Sequence, residues 1–163
     1  MQDVLKSSIL QAIYREAQRS GQPIYCIVDD TIASHTRPSS QAVHPIEAAY
    51  FHQSHLKGCQ DYGHQVVSVM LSCNGITLNY AVILYDKSRS KIQIVQEIAE
   101  ELPAAPVISY FLCDSWYTTA KVMDRFIRKG FYTVGALKTN RILYPCGIRQ
   151  KASAFALHLR KTD

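Results

Sequence analysis

The chain has 163 residues and a formal net charge of +5, from 18 Lys and Arg against 13 Asp and Glu, and 47% of it is hydrophobic. These values exclude wholesale disorder and fit about one domain with a single buried core. No apolar run reaches the roughly 18 residues of a membrane span, and the basic balance permits nucleic acid, anionic lipid or acidic ligands without choosing among them.

Leu5, Ile9, Ile13 and Ala17 recur every four residues and predict a helix over 3–19, closed by Gly21 and Pro23. This stretch has no long apolar core and no small-residue cleavage site, so it reads as an amphipathic helix rather than a signal peptide. IYCIV at 24–28 predicts a short strand that stops at Asp29 and Asp30. Residues 31–63 are polar and carry Pro38, Pro45, Gly58 and Gly63. They read mostly as loop with one short helix near 46–52, and a connection this long points to function or partner contact.

Two β-rich runs follow at 64–73 and 77–84. Asn74-Gly75 between them favours the positive φ angles of a tight hairpin. Ile94, Val95, Ile98, Ala99 and Leu102 stripe a helix over 89–102, which Pro103 and Pro106 close. VISYFLC at 107–113 is nearly continuous apolar sequence, as in a central strand buried on both faces, and it ends at Asp114. Val122, Met123, Phe126 and Ile127 mark a helix over 116–129 with Gly130 as its C′ residue, and FYTVGAL at 131–137 predicts another strand. A basic, turn-rich stretch at 138–151 leads to a last helix marked by Ala152, Phe155, Ala156 and Leu159.

The predicted fold class is α/β: a mixed sheet with an antiparallel hairpin plus parallel strands, and helices on both faces. The cysteines are Cys26, Cys59, Cys73, Cys113 and Cys146. Their odd number, with no CxxC pair, argues against a disulfide framework and for a reducing, cytoplasmic setting. Cys113 beside Asp114 invites a nucleophile reading, but an apolar strand raises a thiol's pKa and makes it inert.

Chemistry concentrates on two aspartates placed where hydrophobic strands end, Asp30 and Asp114. If the strands from 24 and from 107 are parallel neighbours, both carboxylates lie at one rim of the sheet, where α/β proteins bind ligands. Two carboxylates brought close repel each other unless a proton or a cation lies between them, and Mg²⁺ suits that place. Asp114 also has the ordinary role of capping the helix that follows it.

IVDDT at 27–31 and FLCDSWYTTAKVMDRFIRKGFYTVGALKTNR at 111–141 resemble the catalytic domain of bacterial insertion-sequence transposases of the DDE type. So does PSSQAVHPIEAAYFHQSHLKGCQDYGHQVVSVMLSCNGITLNYAVILYDKS at 38–88, and the likeness runs from about residue 22 onward. It implies a ribonuclease-H-like fold, Mg²⁺ or Mn²⁺ as cofactor, and cleavage and joining of DNA at transposon ends and target. It also implies a homodimer in the DNA complex and a cytoplasmic, nucleoid-associated location with no membrane partner. The family's first aspartate falls on Asp30, with Asp29 as the alternative because adjacent strand residues point to opposite faces. The second falls on Asp114. The third acid has no counterpart: all five glutamates precede the strand at 131–137, and Asp124 and Asp163 do not match its place. Nor is the family's DNA-recognition region visible. These gaps lead us to expect a single domain over 1–163 truncated before the third acid and impaired as an isolated fragment. The alternative is a non-catalytic DNA-binding remnant.

Lys138 and Arg141, directly after a strand, are the candidate nucleic-acid contacts, with Arg149, Lys151, Arg160 and Lys161 beyond. Trp116 and Tyr117 sit beside Asp114, where an aromatic ring either stacks on an unpaired base or half-buries at a helix start. His52, His55, Cys59, Asp61 and His64 match no familiar four-ligand metal spacing.

Overall fold

The computed structural model describes residues 2–39, 46–54 and 57–159. Helix α1 (Gln2–Ser20) leads into β1 (Ile24–Ser34), β2 (Tyr50–Ser54), β3 (Cys59–Cys73) and β4 (Ile76–Tyr85). Then come α2 (Lys91–Glu101), β5 (Ser109–Cys113), α3 (Ala120–Arg128) and β6 (Phe131–Gly135). Strands β7 (Ile142–Leu143) and β8 (Gln150–Lys151) pair as a small separate hairpin, and α4 (Ala152–Ala156) follows it. Residues 160–163, including Arg160 and Lys161, lie outside the described residues, as does His55.

The main sheet has six strands, with β3, β1, β5 and β6 side by side in that order. Strand β1 is antiparallel to β3 and parallel to β5, β5 is parallel to β6, and β4 runs antiparallel along the other edge of β3. Gly63 pairs with Ser34 of β1 on one side and with Tyr50 of β2 on the other, so β2 continues the line of β4. The hairpin between β3 and β4 turns at Asn74 (φ 48°) and Gly75 (φ 80°), the backbone that this pair favours.

Local signals set the helix ends. Ser90 caps α2 in a reciprocal capping box with Gln93. Gly130, at φ 85°, ends α3 in the left-handed conformation that costs glycine little.

Alternation decides the layers. In β1, Ile24, Cys26 and Val28 are buried while Tyr25 and Ile27 are half-buried. Ile24, Cys26, Val28, Val67, Val69, Leu71 and Phe111 form one core with Ile9, Ile13 and Ala17 of α1, Ile94, Val95 and Ile98 of α2, and Val122 and Phe126 of α3. The Phe111 and Phe126 rings stack with centroids 3.7 Å apart. Among the described residues, α1, α2 and α3 therefore all cover one face, where the sequence led us to expect helices on both. The reason lies in the crossovers. The β4–α2–β5 and β5–α3–β6 connections both advance toward β6, and right-handed crossovers in one direction place their helices on one side.

The region 31–63 differs most from expectation. Strand β1 continues through both aspartates to Ser34, β2 occupies Tyr50–Ser54 where a short helix was expected, and β3 begins at Cys59. Asp30 is thus inside a strand, not at its end. Polar side chains hid these strands, because His52, Ser54 and Gln65 are buried beside Tyr62 while Phe51 is exposed. Gly63 makes the close pairing possible: a Cβ there would come within 2.1 Å of the Ala33 carbonyl oxygen.

Candidate active site

Strands β1 and β5 are parallel neighbours, and their pairing ends at Val28 and Cys113. The next residues along the chain are Asp29 and Asp114, so the backbones of these acids lie at one rim, which meets the condition of parallel neighbouring strands set by the sequence reading. Adjacent strands lie about 4.8 Å apart, which brings the two backbones together there.

The adjacent aspartates of β1 have opposite surroundings. Asp30 points to the helix-covered face, in phase with Cys26 and Val28, and its side chain is 15% exposed. Both of its oxygens are engaged. Lys91 Nζ, at the start of α2, donates to Oδ2 at 2.8 Å, and Gln65 Nε2 of β3 donates to the same oxygen. The Tyr117 hydroxyl donates to Oδ1 at 2.9 Å. Tyr117 is fully buried, and burial, followed by the Asp30 charge, holds its pKa well above the ordinary phenol value. It therefore stays a donor to Asp30 at any ordinary pH. Asp29 is exposed and lies on the other face, in phase with Tyr25 and Ile27. Its Oδ1 accepts the Asp30 backbone N–H at 2.9 Å, and its Oδ2 has no hydrogen bond among the described residues.

Asp114 is exposed and follows β5 in the phase of Tyr110 and Leu112. Its Oδ1 accepts the backbone N–H groups of Trp116 at 2.9 Å and Tyr117 at 3.4 Å, the local turn that aspartate favours. Its Oδ2 has no partner among the described residues. Asp114 does not cap α3, which begins at Ala120 with Thr119 as its N-cap, so this side chain combines a local turn in the preceding loop with an open carboxylate oxygen. The 114–119 loop is tied down beyond this. Thr118 Oγ1 donates to the Asp114 carbonyl at 2.9 Å, and an Arg141 guanidinium N–H donates to the Thr118 carbonyl at 2.9 Å. A Cβ on Gly135 would meet Thr118 Oγ1 at 2.4 Å, so the loop's approach to β6 needs a glycine there.

Of the two basic residues singled out from sequence, Arg141 thus braces the loop, whereas Lys138 is exposed with its Nζ 5.3 Å from the Trp116 ring centroid. Lys91 and Gln65 were missed. Their only sequence signal was polarity, which does not reveal a partner 61 or 35 residues away. Four glutamates are in ion pairs elsewhere: Glu16 with Arg19, Glu97 with Arg89, Glu100 with Arg125 and Glu101 with Lys6. Among the described residues, no group of three or more His, Cys, Asp or Glu side chains gathers into a metal site. The loop histidines disperse: His64 bonds to His35 at 2.8 Å, Asp61 pairs with Lys57 at 2.7 Å, and His52 is buried. Burial pushes the Cys26 thiol up to about 12 and also raises that of Cys113, consistent with inert thiols.

A sheet with an antiparallel β1–β3–β4 part, parallel β5 and β6 on the other side of β1, and acids at the β1/β5 rim defines the ribonuclease-H-like class. The family model described as the transposase DDE domain matches residues 20–160, and the chain belongs to that family. No match was found among curated proteins or among solved structures. No helix among the described residues is long and apolar enough to cross a membrane.

Proposed function

We propose that the chain is the core of a metal-dependent DNA transposase, in which Asp29 and Asp114 are the carboxylates that hold the divalent ion and Asp30 positions them. The observation that supports this most directly is the contrast at the β1/β5 rim. Asp29 and Asp114 each keep an exposed oxygen without a hydrogen bond among the described residues, while both oxygens of Asp30 are engaged by Lys91, Gln65 and Tyr117. The donor set fits Mg²⁺ or Mn²⁺, which take hard oxygen ligands from one or two carboxylates and fill the remaining positions with water and phosphate oxygens. When bound, such ions activate the attacking oxygen and steady the leaving one in phosphodiester cleavage and strand transfer.

The chain's own residues supply rigidity and charge. The Tyr117–Asp30 bond ties the β5–α3 loop to β1, and the Asp114 turn fixes its carboxylate against that loop. Lys91 offsets the negative charge of Asp30, so the charge left at the rim is that of Asp29 and Asp114. Basic side chains such as Lys138 meet the phosphates, a contact that weakens with salt. Two acids without a third lead us to expect slow or no turnover by this chain alone.

Mn²⁺ binding measured by titration calorimetry tests the assignment. Asp29→Asn and Asp114→Asn are each expected to weaken it at least tenfold, since each removes a ligand charge. Affinity unchanged in both variants would overturn the reading.

A further inference from the structure

Trp116 is the chain's single tryptophan, and it is 46% exposed although it sits two residues from Asp114. Its position is not slack. Its backbone N–H is held by Asp114 Oδ1, and the next residue, Tyr117, is fully buried. Two ammonium groups lie over its ring, Lys91 Nζ at 4.9 Å and Lys138 Nζ at 5.3 Å from the centroid. The two cations differ. Lys91 is fixed by its ion pair with Asp30. Lys138 is exposed, and among the described residues its ammonium makes no hydrogen bond or ion pair, so only the ring attracts it. Such an attraction at an exposed site is weaker than the stacking of a base on an aromatic ring.

We propose that Trp116 is a stacking platform for an unpaired base of a DNA strand, and that Lys138 leaves the ring to meet the adjoining phosphate. This rests on the reading of the rim as a DNA site and assigns that site a single-stranded feature of its substrate. A π face is common to all bases, so the platform accepts any of them. Duplex DNA keeps its bases stacked inside and offers only phosphates. Lys91 stays on Asp30 throughout, so stacking at Trp116 leaves the Asp30 ion pair intact.

Because Trp116 is the only tryptophan, its emission reports on the platform directly. The chain is titrated at low salt with three fluorescein-labelled oligomers of equal length: single-stranded thymidylate, an abasic single strand and a duplex. Fluorescein anisotropy follows binding, and tryptophan emission follows stacking. Thymidylate is expected to bind and quench Trp116. The abasic strand is expected to bind about tenfold more weakly or worse, without quenching, because one stacked base is lost. The duplex is expected to bind without quenching. Trp116→Leu, checked for folding by circular dichroism, is expected to bring thymidylate and abasic affinities together. Equal affinities for the two single strands in the unmodified chain, or thymidylate binding with unchanged emission, would overturn the platform and leave the DNA reading standing. Equal quenching by the duplex would also overturn it. Binding of none of the three would overturn both.

Discussion

The two faces of the sheet follow different rules although the same strands build them. On one face Ile24, Cys26, Val28 and Phe111 are sealed under three helices. On the other, the Tyr25, Tyr110 and Tyr132 rings line up across β1, β5 and β6 with centroids 5.6 and 5.7 Å apart, and Tyr132 is 63% exposed. Asp29 and Asp30 inherit that difference. One residue of strand alternation separates a carboxylate bound by three donors from one that keeps an exposed oxygen without a hydrogen bond among the described residues. Enclosed and open surroundings thus fall to neighbouring side chains of one type.

The comparison is most sharply tested at β5. Phe111→Ala removes a ring that is fully buried and stacked on Phe126, and should cost about 3–5 kcal/mol in denaturant unfolding. Leu112→Ala, on the open face, should cost clearly less. Equal losses would show that the second face is as tightly packed as the first.

A smaller effect separates the two aspartates. Asp30→Asn leaves the Lys91 ammonium, 14% exposed, without its counter-charge and should cost about 1–3 kcal/mol. Asp29→Asn should stay within about 0.5 kcal/mol, as exposed substitutions do. The reverse order, measured by urea unfolding, would exchange the roles of the two residues.

The smallest effect is at His52. Burial, then the charge of Lys87, holds its imidazole pKa below the ordinary histidine value. Lys91 adds to the depression. The unfolded chain therefore takes up this proton first as the pH falls. Stability from this site is complete above about pH 6.5 and is lost below it. His52→Gln should flatten that fall in thermal unfolding; the same pH dependence in variant and unmodified chain would exclude His52 as its source.

Much of the fold was legible because hydrophobic period and punctuation agreed. The stripe Leu5–Ile9–Ile13–Ala17 gave α1, Asn74-Gly75 gave the hairpin, and Gly130 gave the end of α3. Strand β2 and the ends of β1 and β3 were not legible. Apart from Tyr62, the side chains buried there are the polar His52, Ser54 and Gln65, and the register depends on a glycine fitting against a distant carbonyl. Polar burial of this kind carries no periodic hydrophobic signal. At the candidate site the placement of Asp114 directly after β5 could be read, but the opposite surroundings of Asp29 and Asp30 could not.

Sequence alone determined the helices α1, α2 and α3, the β3–β4 hairpin, the family resemblance around Asp114 and the presence of two neighbouring acids at the first strand. Only the tertiary structure decided which of the two keeps an oxygen without a hydrogen bond among the described residues and which has both oxygens engaged. That choice depends on Gln65, Lys91 and Tyr117, which are 35, 61 and 87 residues from Asp30 along the chain and reach it only when β3, α2 and the β5–α3 loop close around β1. A carboxylate's availability is set by the donors that surround it after folding, and those contacts are not local in sequence.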